Sequence, residues 1–140
     1  MKILILNGPN LNLLGKREPN IYGATSFEVF LEEVKKEFSN HEIDYYQSNI
    51  EGEIIDTLQK AEHHNLSGII INLGGYTHTS VAIADTVASI SVPVISVHIS
   101  NIYHRESERH KELTAQYVHG GIFGLGINGY RLAIQHLVSL

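Results

Sequence analysis

An α/β fold on a parallel β-sheet is predicted by two observations. Five short apolar runs alternate with helical patterns along the chain, and most of these runs are continuously apolar, as strands covered on both faces must be. No Pro/Ser-rich linker, low-complexity tract or internal repeat interrupts the 140 residues, so residues 1–140 are expected to form one domain. The first run, residues 2–6, reads as a strand. Phe27, Phe30, Leu31, Val34 and Phe38 then recur at helical spacing behind a capping box of Thr25 and Glu28, which predicts an amphipathic helix. A second strand is expected over residues 42–47, followed by an apolar stripe of Ile50, Ile54, Leu58 and Ala61. The remaining strands are placed at residues 68–73, 92–98 and 121–125, with a helical segment over about 79–89 between the third and fourth. The last helix carries Tyr130, Ala133, Ile134, Leu137 and Val138 on one stripe. Right-handed crossovers joining such strands give a flavodoxin-like three-layer sandwich with strand order 2-1-3-4-5 and helices on both faces.

Composition narrows the function. The chain has no cysteine, which excludes disulfides, thiolate zinc sites and cysteine nucleophiles and suits a reducing cytoplasm, the expected location. The opening MKILILNGPN holds too short an apolar run for a signal peptide or a membrane span, so no membrane association is expected. A net charge of −5 with no basic cluster argues against nucleic acid as a partner.

In an open parallel sheet, ligands bind beyond the carboxyl ends of the strands, near the point where strand order reverses. The first strand ends in Asn7-Gly8-Pro9-Asn10, the third in Asn72 to His78, and the fourth in His98-Ile99-Ser100-Asn101. These strands are neighbours in the predicted order, so their tips converge on one pocket. A long connection follows the first strand and contains Arg17 and Tyr22; residues 15–24 are expected to act as a lid. Taken singly, a loop arginine is a solvated charge, a loop tyrosine is packing, and Asn-Gly-Pro-Asn is turn chemistry. Their conjunction with two Asn-bearing strand tips and a histidine ending a buried strand favours a catalytic pocket.

Two motif-like strings carry no cofactor. Gly124 to Gly129 satisfies G-x-G-x-x-G, but only one helix follows, with no further strand or acidic ribose ligand, so it is read as a tight strand-to-helix turn. Gly8 to Lys16 lacks the spacing and the Ser/Thr of a phosphate-binding loop. No metal-ligand spacing is present in the sequence, and neither a metal nor an organic cofactor is expected.

The strings ILNGPNLNLLGKREPNIYG, INLGGYTHTSVAIAD, VHISNIYHRE and GLGINGYRLAI together resemble type II 3-dehydroquinate dehydratase across nearly the whole chain. The resemblance implies a cofactor-free hydro-lyase, usually a dodecamer of four trimers, that converts 3-dehydroquinate to 3-dehydroshikimate in the shikimate pathway or in quinate breakdown. It assigns Tyr22 as general base, Arg17 as the cation beside it, Asn10 as the residue steadying an enolate through a water, and His98 as general acid. An adjacent guanidinium suits the first pair, because an unperturbed tyrosine ionises only near about pH 10 and arginine keeps its charge throughout. Substrate contacts map by the same resemblance to Asn72, the backbone of Ile99 and Ser100, His78 and Arg109, while Asp85 resembles a residue reaching a neighbouring subunit's site.

The chain departs from the family pattern at two places. Ser96 stands where a glutamate two residues before the catalytic histidine is usual, so His98 is expected to lack a carboxylate partner on its own strand face. Glu106-Ser107-Glu108-Arg109 replaces a segment that commonly has an aromatic just before its arginine. Two other readings remain: a catalytically impaired paralogue, and a flavodoxin-like binding or signalling module. A receiver domain would need acidic residues where Asn7, Asn10 and Asn72 stand, and a flavin carrier would need a hydroxyl-rich loop where GPNLNLLG stands.

Overall fold

The computed structural model describes residues 1–15 and 26–140. Continuous apolar runs become strands with no solvent-facing side: β3 (Gly68–Asn72) and β4 (Val94–His98) are buried throughout, and β1 (Lys2–Asn7) after its first residue. β2 (Glu42–Gln47) and β5 (Gly120–Phe123) are half-exposed, as edge strands must be. The sheet is parallel with order β2-β1-β3-β4-β5, as the alternating pattern predicts.

Because successive side chains on a strand point to opposite faces, each strand feeds two cores. On one face Ile3, Ile5, Ile70, Ile95 and Val97 pack against Phe27, Phe30 and Val34 of α1 (Phe27–Glu37) and Tyr130, Ile134 and Leu137 of α5 (Asn128–Val138). On the other, Leu4, Leu6, Ile69, Ile71 and Val94 meet Ile54 and Leu58 of α2 (Glu51–Gln59) and Ile83 and Val87 of α4 (Val81–Ser89). This is the expected three-layer sandwich.

Local details differ from the sequence reading. The cap of α1 is Ser26 rather than Thr25, which lies outside the described residues; the Ser26 hydroxyl accepts from the Val29 amide at 3.3 Å. Ile50 does not join the buried stripe of α2. It precedes the helix at 57 % exposure. The helical segment expected over about 79–89 is two helices, α3 (Tyr76–Thr79) and α4, because Ser80 is extended between them and its hydroxyl caps the Ile83 amide at 3.0 Å. The Gly124 to Gly129 string is the expected turn: Gly124 and Gly126 adopt positive φ and their amides donate to His98 and Ile99 carbonyls at 3.0 Å each, so β5 turns directly into α5. Among the described residues no helix is long and apolar enough to cross a membrane.

Candidate active site

The register of the central strands creates the site. Asn7 and Asn72 are paired partners at the ends of β1 and β3, and the chain beyond them is held tightly together, with the Gly8 amide donating to the Asn72 carbonyl at 2.7 Å. A Cβ on Gly8 would stand 2.5 Å from the Leu73 carbonyl oxygen, so only glycine allows the two tips this approach. Asn10 then takes a left-handed conformation at φ 70°, and its amide donates to Asn49 Oδ1 at 3.0 Å, anchoring the turn that brings Asn10 to the cleft.

Tyr130, the first large side chain of α5, is fully buried beneath these tips. Its hydroxyl accepts from Asn72 Nδ2 at 2.8 Å and donates to Asn7 Oδ1 at 2.8 Å. Burial pushes its ionisation far above that of an ordinary tyrosine, outweighing the hydrogen bond from Asn72, so it remains a neutral hydroxyl that fixes which way both amides face. The helical pattern assigns Tyr130 to the apolar stripe; its hydroxyl function depends on strand partners distant in sequence.

His98 ends β4 with 8 % exposure. Its Nε2 lies 3.1 Å from Oε1 of Glu112, although no linear hydrogen bond joins them, so the contact is a close approach of carboxylate to imidazole. As expected, β4 supplies no carboxylate to His98, since Ser96 carries no charge, but Glu112 supplies one from a different segment. Burial alone would raise the Glu112 carboxyl, yet His98, Ser96 and Thr114 together hold it below the ordinary carboxylate range. His78, on α3, donates from Nδ1 to the Lys111 carbonyl at 2.7 Å, and partial burial lowers its affinity for a second proton.

One cleft is lined by Asn10, Asn72, His78, His98, Ile99, Ser100 and Arg109, so seven of the predicted residues meet there, joined by Arg105, which the sequence reading did not single out. Arg109 is paired with Glu106 in its own short turn. Two arginines and two histidines give the cleft a lining rich in hydrogen-bond donors, suited to an anionic ligand. Asp85 does not line it; the residue is exposed on α4. Tyr22 and Arg17, with the rest of the expected lid from residue 16 onward, lie outside the described residues. Among the described residues no cluster of three or more histidine and acidic side chains is arranged to hold a metal ion.

The profile of the family described as dehydroquinase class II matches residues 1–138. The chain belongs to that family. It is 52 % identical to a 3-dehydroquinate dehydratase of Clostridium beijerinckii over 139 residues, covering 98 % of this chain and 95 % of the relative. A 3-dehydroquinate dehydratase of Campylobacter jejuni is 49 % identical over 142 residues, which span all of this chain and 89 % of that protein. The crystal structure of type II dehydroquinase from Butyrivibrio crossotus superposes with a TM-score of 0.94 at 48 % identity, covering 99 % of this chain and 97 % of the other. For this class II dehydroquinase, the flavodoxin-like fold predicted from apolar periodicity is therefore also the fold of a solved relative. Glu112 and Tyr130 are the two side chains at the site whose roles the sequence reading missed. Neither has a local motif, since each acts on a residue of another strand.

Proposed function

We propose that this dehydroquinase performs the cofactor-free elimination of water from 3-dehydroquinate, giving 3-dehydroshikimate. The observation that carries the proposal is the convergence of Asn10, Asn72 and His98, from three adjacent strand tips, on one cleft that also holds Arg105 and Arg109, in a chain of this family. In this reading Tyr22, ionised beside Arg17, removes the proton alpha to the ketone. Charge develops on the ketone oxygen as an enolate, and Asn10 steadies it through a water. His98 gives its proton to the departing C1 hydroxyl, which leaves as water while the ring gains a conjugated double bond.

Asn72, locked by Tyr130, and the backbone at Ile99 and Ser100 would receive the substrate carboxylate, and His78 and Arg109 its hydroxyls. The close pairing of Glu112 with His98 supports an active enzyme over an impaired paralogue, because the acid keeps a carboxylate partner despite Ser96. We assign the protein to the cytoplasm and to an oligomer of trimers, a dodecamer in full, in which exposed Asp85 reaches a neighbour's cleft. The decisive experiment adds 3-dehydroquinate to purified protein and follows the conjugated enone by ultraviolet absorbance. A rise that scales with enzyme is expected; a well-folded protein that produces none would overturn the assignment.

A further inference from the structure

We infer that Glu112 is the positioning residue for His98, supplying from the segment that carries Arg109 the negative charge that β4 does not provide at Ser96. The inference rests on the dehydratase reading and extends it to a residue that this reading did not assign.

The alternation of β4 aims Ser96 and His98 at the same side of the sheet, so a residue at position 96 is the nearest strand neighbour from which a charge could reach the imidazole. Ser96 is buried, and Gly121 of β5 lies so close that a Cβ on that glycine would stand 2.7 Å from the Ser96 hydroxyl oxygen. The small hydroxyl fits beside β5, and its favourable interaction helps hold the Glu112 carboxyl below the ordinary carboxylate range. The Thr114 hydroxyl adds a longer contact to Glu112 Oε1 at 3.4 Å.

The segment bearing Glu112 is pinned on both sides of it. The Lys111 carbonyl accepts from His78, and the Leu113 amide donates to the Thr77 carbonyl at 3.0 Å, so residues 111 and 113 are both tied to α3 and the side chain between them is directed into the cleft wall. The Glu112 side chain is 14 % exposed, and a carboxylate so enclosed persists only where partners offset its lost hydration. Hydroxyls could do part of that for a purely structural glutamate. The arrangement is more specific, because the basic group nearest the carboxylate is the ring expected to give up a proton in the reaction.

His98 faces a cleft also lined by His78 on α3 and by Arg105 and Arg109 on the following turns. Among the described residues, Glu112 is the one carboxylate within ion-pair distance of His98. It therefore sets the ring's orientation, with Nε2 toward Glu112 and the Nδ1 edge left to serve the substrate.

The test compares Glu112→Gln and Glu112→Asp with the wild type, once wild-type turnover of 3-dehydroquinate has been established. Glu112→Gln keeps shape and hydrogen bonding but not charge. It is expected to lower kcat roughly 10- to 100-fold, to change KM by less than about threefold, and to move the alkaline limb of kcat to lower pH. Glu112→Asp should keep the limb near its wild-type position. A folded Glu112→Gln enzyme with unchanged kcat and an unchanged alkaline limb would overturn the inference.

A second measurement needs neither a Glu112 variant nor turnover. In wild-type protein labelled with 15N-histidine, with the His98 signal assigned by its absence from His98→Asn, the neutral ring should carry its proton on Nε2. A proton on Nδ1 instead would overturn the inference even if Glu112→Gln failed to fold. Because the labelling experiment needs no substrate, its outcome is separable from a failure of the dehydratase reading, which would show only as absent wild-type turnover.

Discussion

At the scale of single residues, the proposed chemistry separates a base from an acid. If Tyr22 removes the substrate proton, Tyr22→Phe should lower kcat at least 100-fold, the scale expected for a positioned general base, while leaving substrate affinity nearly unchanged. Steady-state kinetics with an isothermal binding measurement check this, and near-normal turnover would remove Tyr22 from the mechanism. The acid's surroundings were less legible. His98 and Asn10 stand out in the sequence because each sits at a strand tip in a short polar string, whereas Glu112 reads as one acidic residue in an ordinary charged stretch. Only the path of the chain from β4 back under α3 brings it to the ring, and no local spacing encodes that return. The same pairing has a consequence for stability. The folded Glu112 carboxyl lies below the ordinary value of 4.5, so its stabilisation is fully present above that value and is lost as pH falls through the folded one. Thermal melts from pH 7 down to about pH 3 should therefore show a steeper loss for the wild type than for Glu112→Gln, whose neutral amide has no proton to take up. Parallel curves would mean that the carboxylate gains nothing from folding.

At the scale of elements, α5 does two jobs, and only one was visible in its sequence. Its apolar stripe predicts a helix covering the sheet, and Ala133, Ile134 and Leu137 are fully buried as that stripe requires. Tyr130 belongs to the same stripe by spacing, yet its hydroxyl joins Asn7 of β1 to Asn72 of β3. Helix docking and site geometry are thus one event. Tyr130→Phe keeps the ring and removes the bridge, leaving Asn7 Oδ1 and Asn72 Nδ2 without that partner in a closed space. The expected cost is about 1–3 kcal/mol of stability. It should appear as a lower denaturant midpoint at unchanged slope, together with a raised KM if Asn72 receives the substrate. A midpoint equal to that of the wild type would show that water or another group takes over the bridge. Where the sequence misplaced elements, short-range chemistry decided against periodicity. Ser80 splits the segment after β3 because its hydroxyl serves better as a cap than as one more helical residue.

At the scale of the whole molecule, the parallel order was readable because continuous apolar strands demand cover on both faces and right-handed crossovers leave few arrangements. What a single chain's pattern does not encode is how copies combine, since an interface side chain obeys no internal periodicity. Asp85 illustrates this. It sits exposed on α4 and does not line its own cleft, so its proposed role requires a cleft from a neighbour. If each active centre combines one subunit's Tyr22 with another's Asp85, then Tyr22→Phe and an impaired Asp85→Ala variant should complement each other when their subunits are mixed. Some mixed centres would take an intact Tyr22 from one parent and an intact Asp85 from the other. Unfolding the two variants together and refolding them should regain activity that neither homogeneous sample shows, in particles that sediment as oligomers. The amount regained should rise and fall with the mixing ratio, because only sites bordered by unlike subunits are complete. No recovery from fully reassembled oligomers would place Asp85 outside the neighbouring site, and a fully active monomer would remove the need for a neighbour altogether.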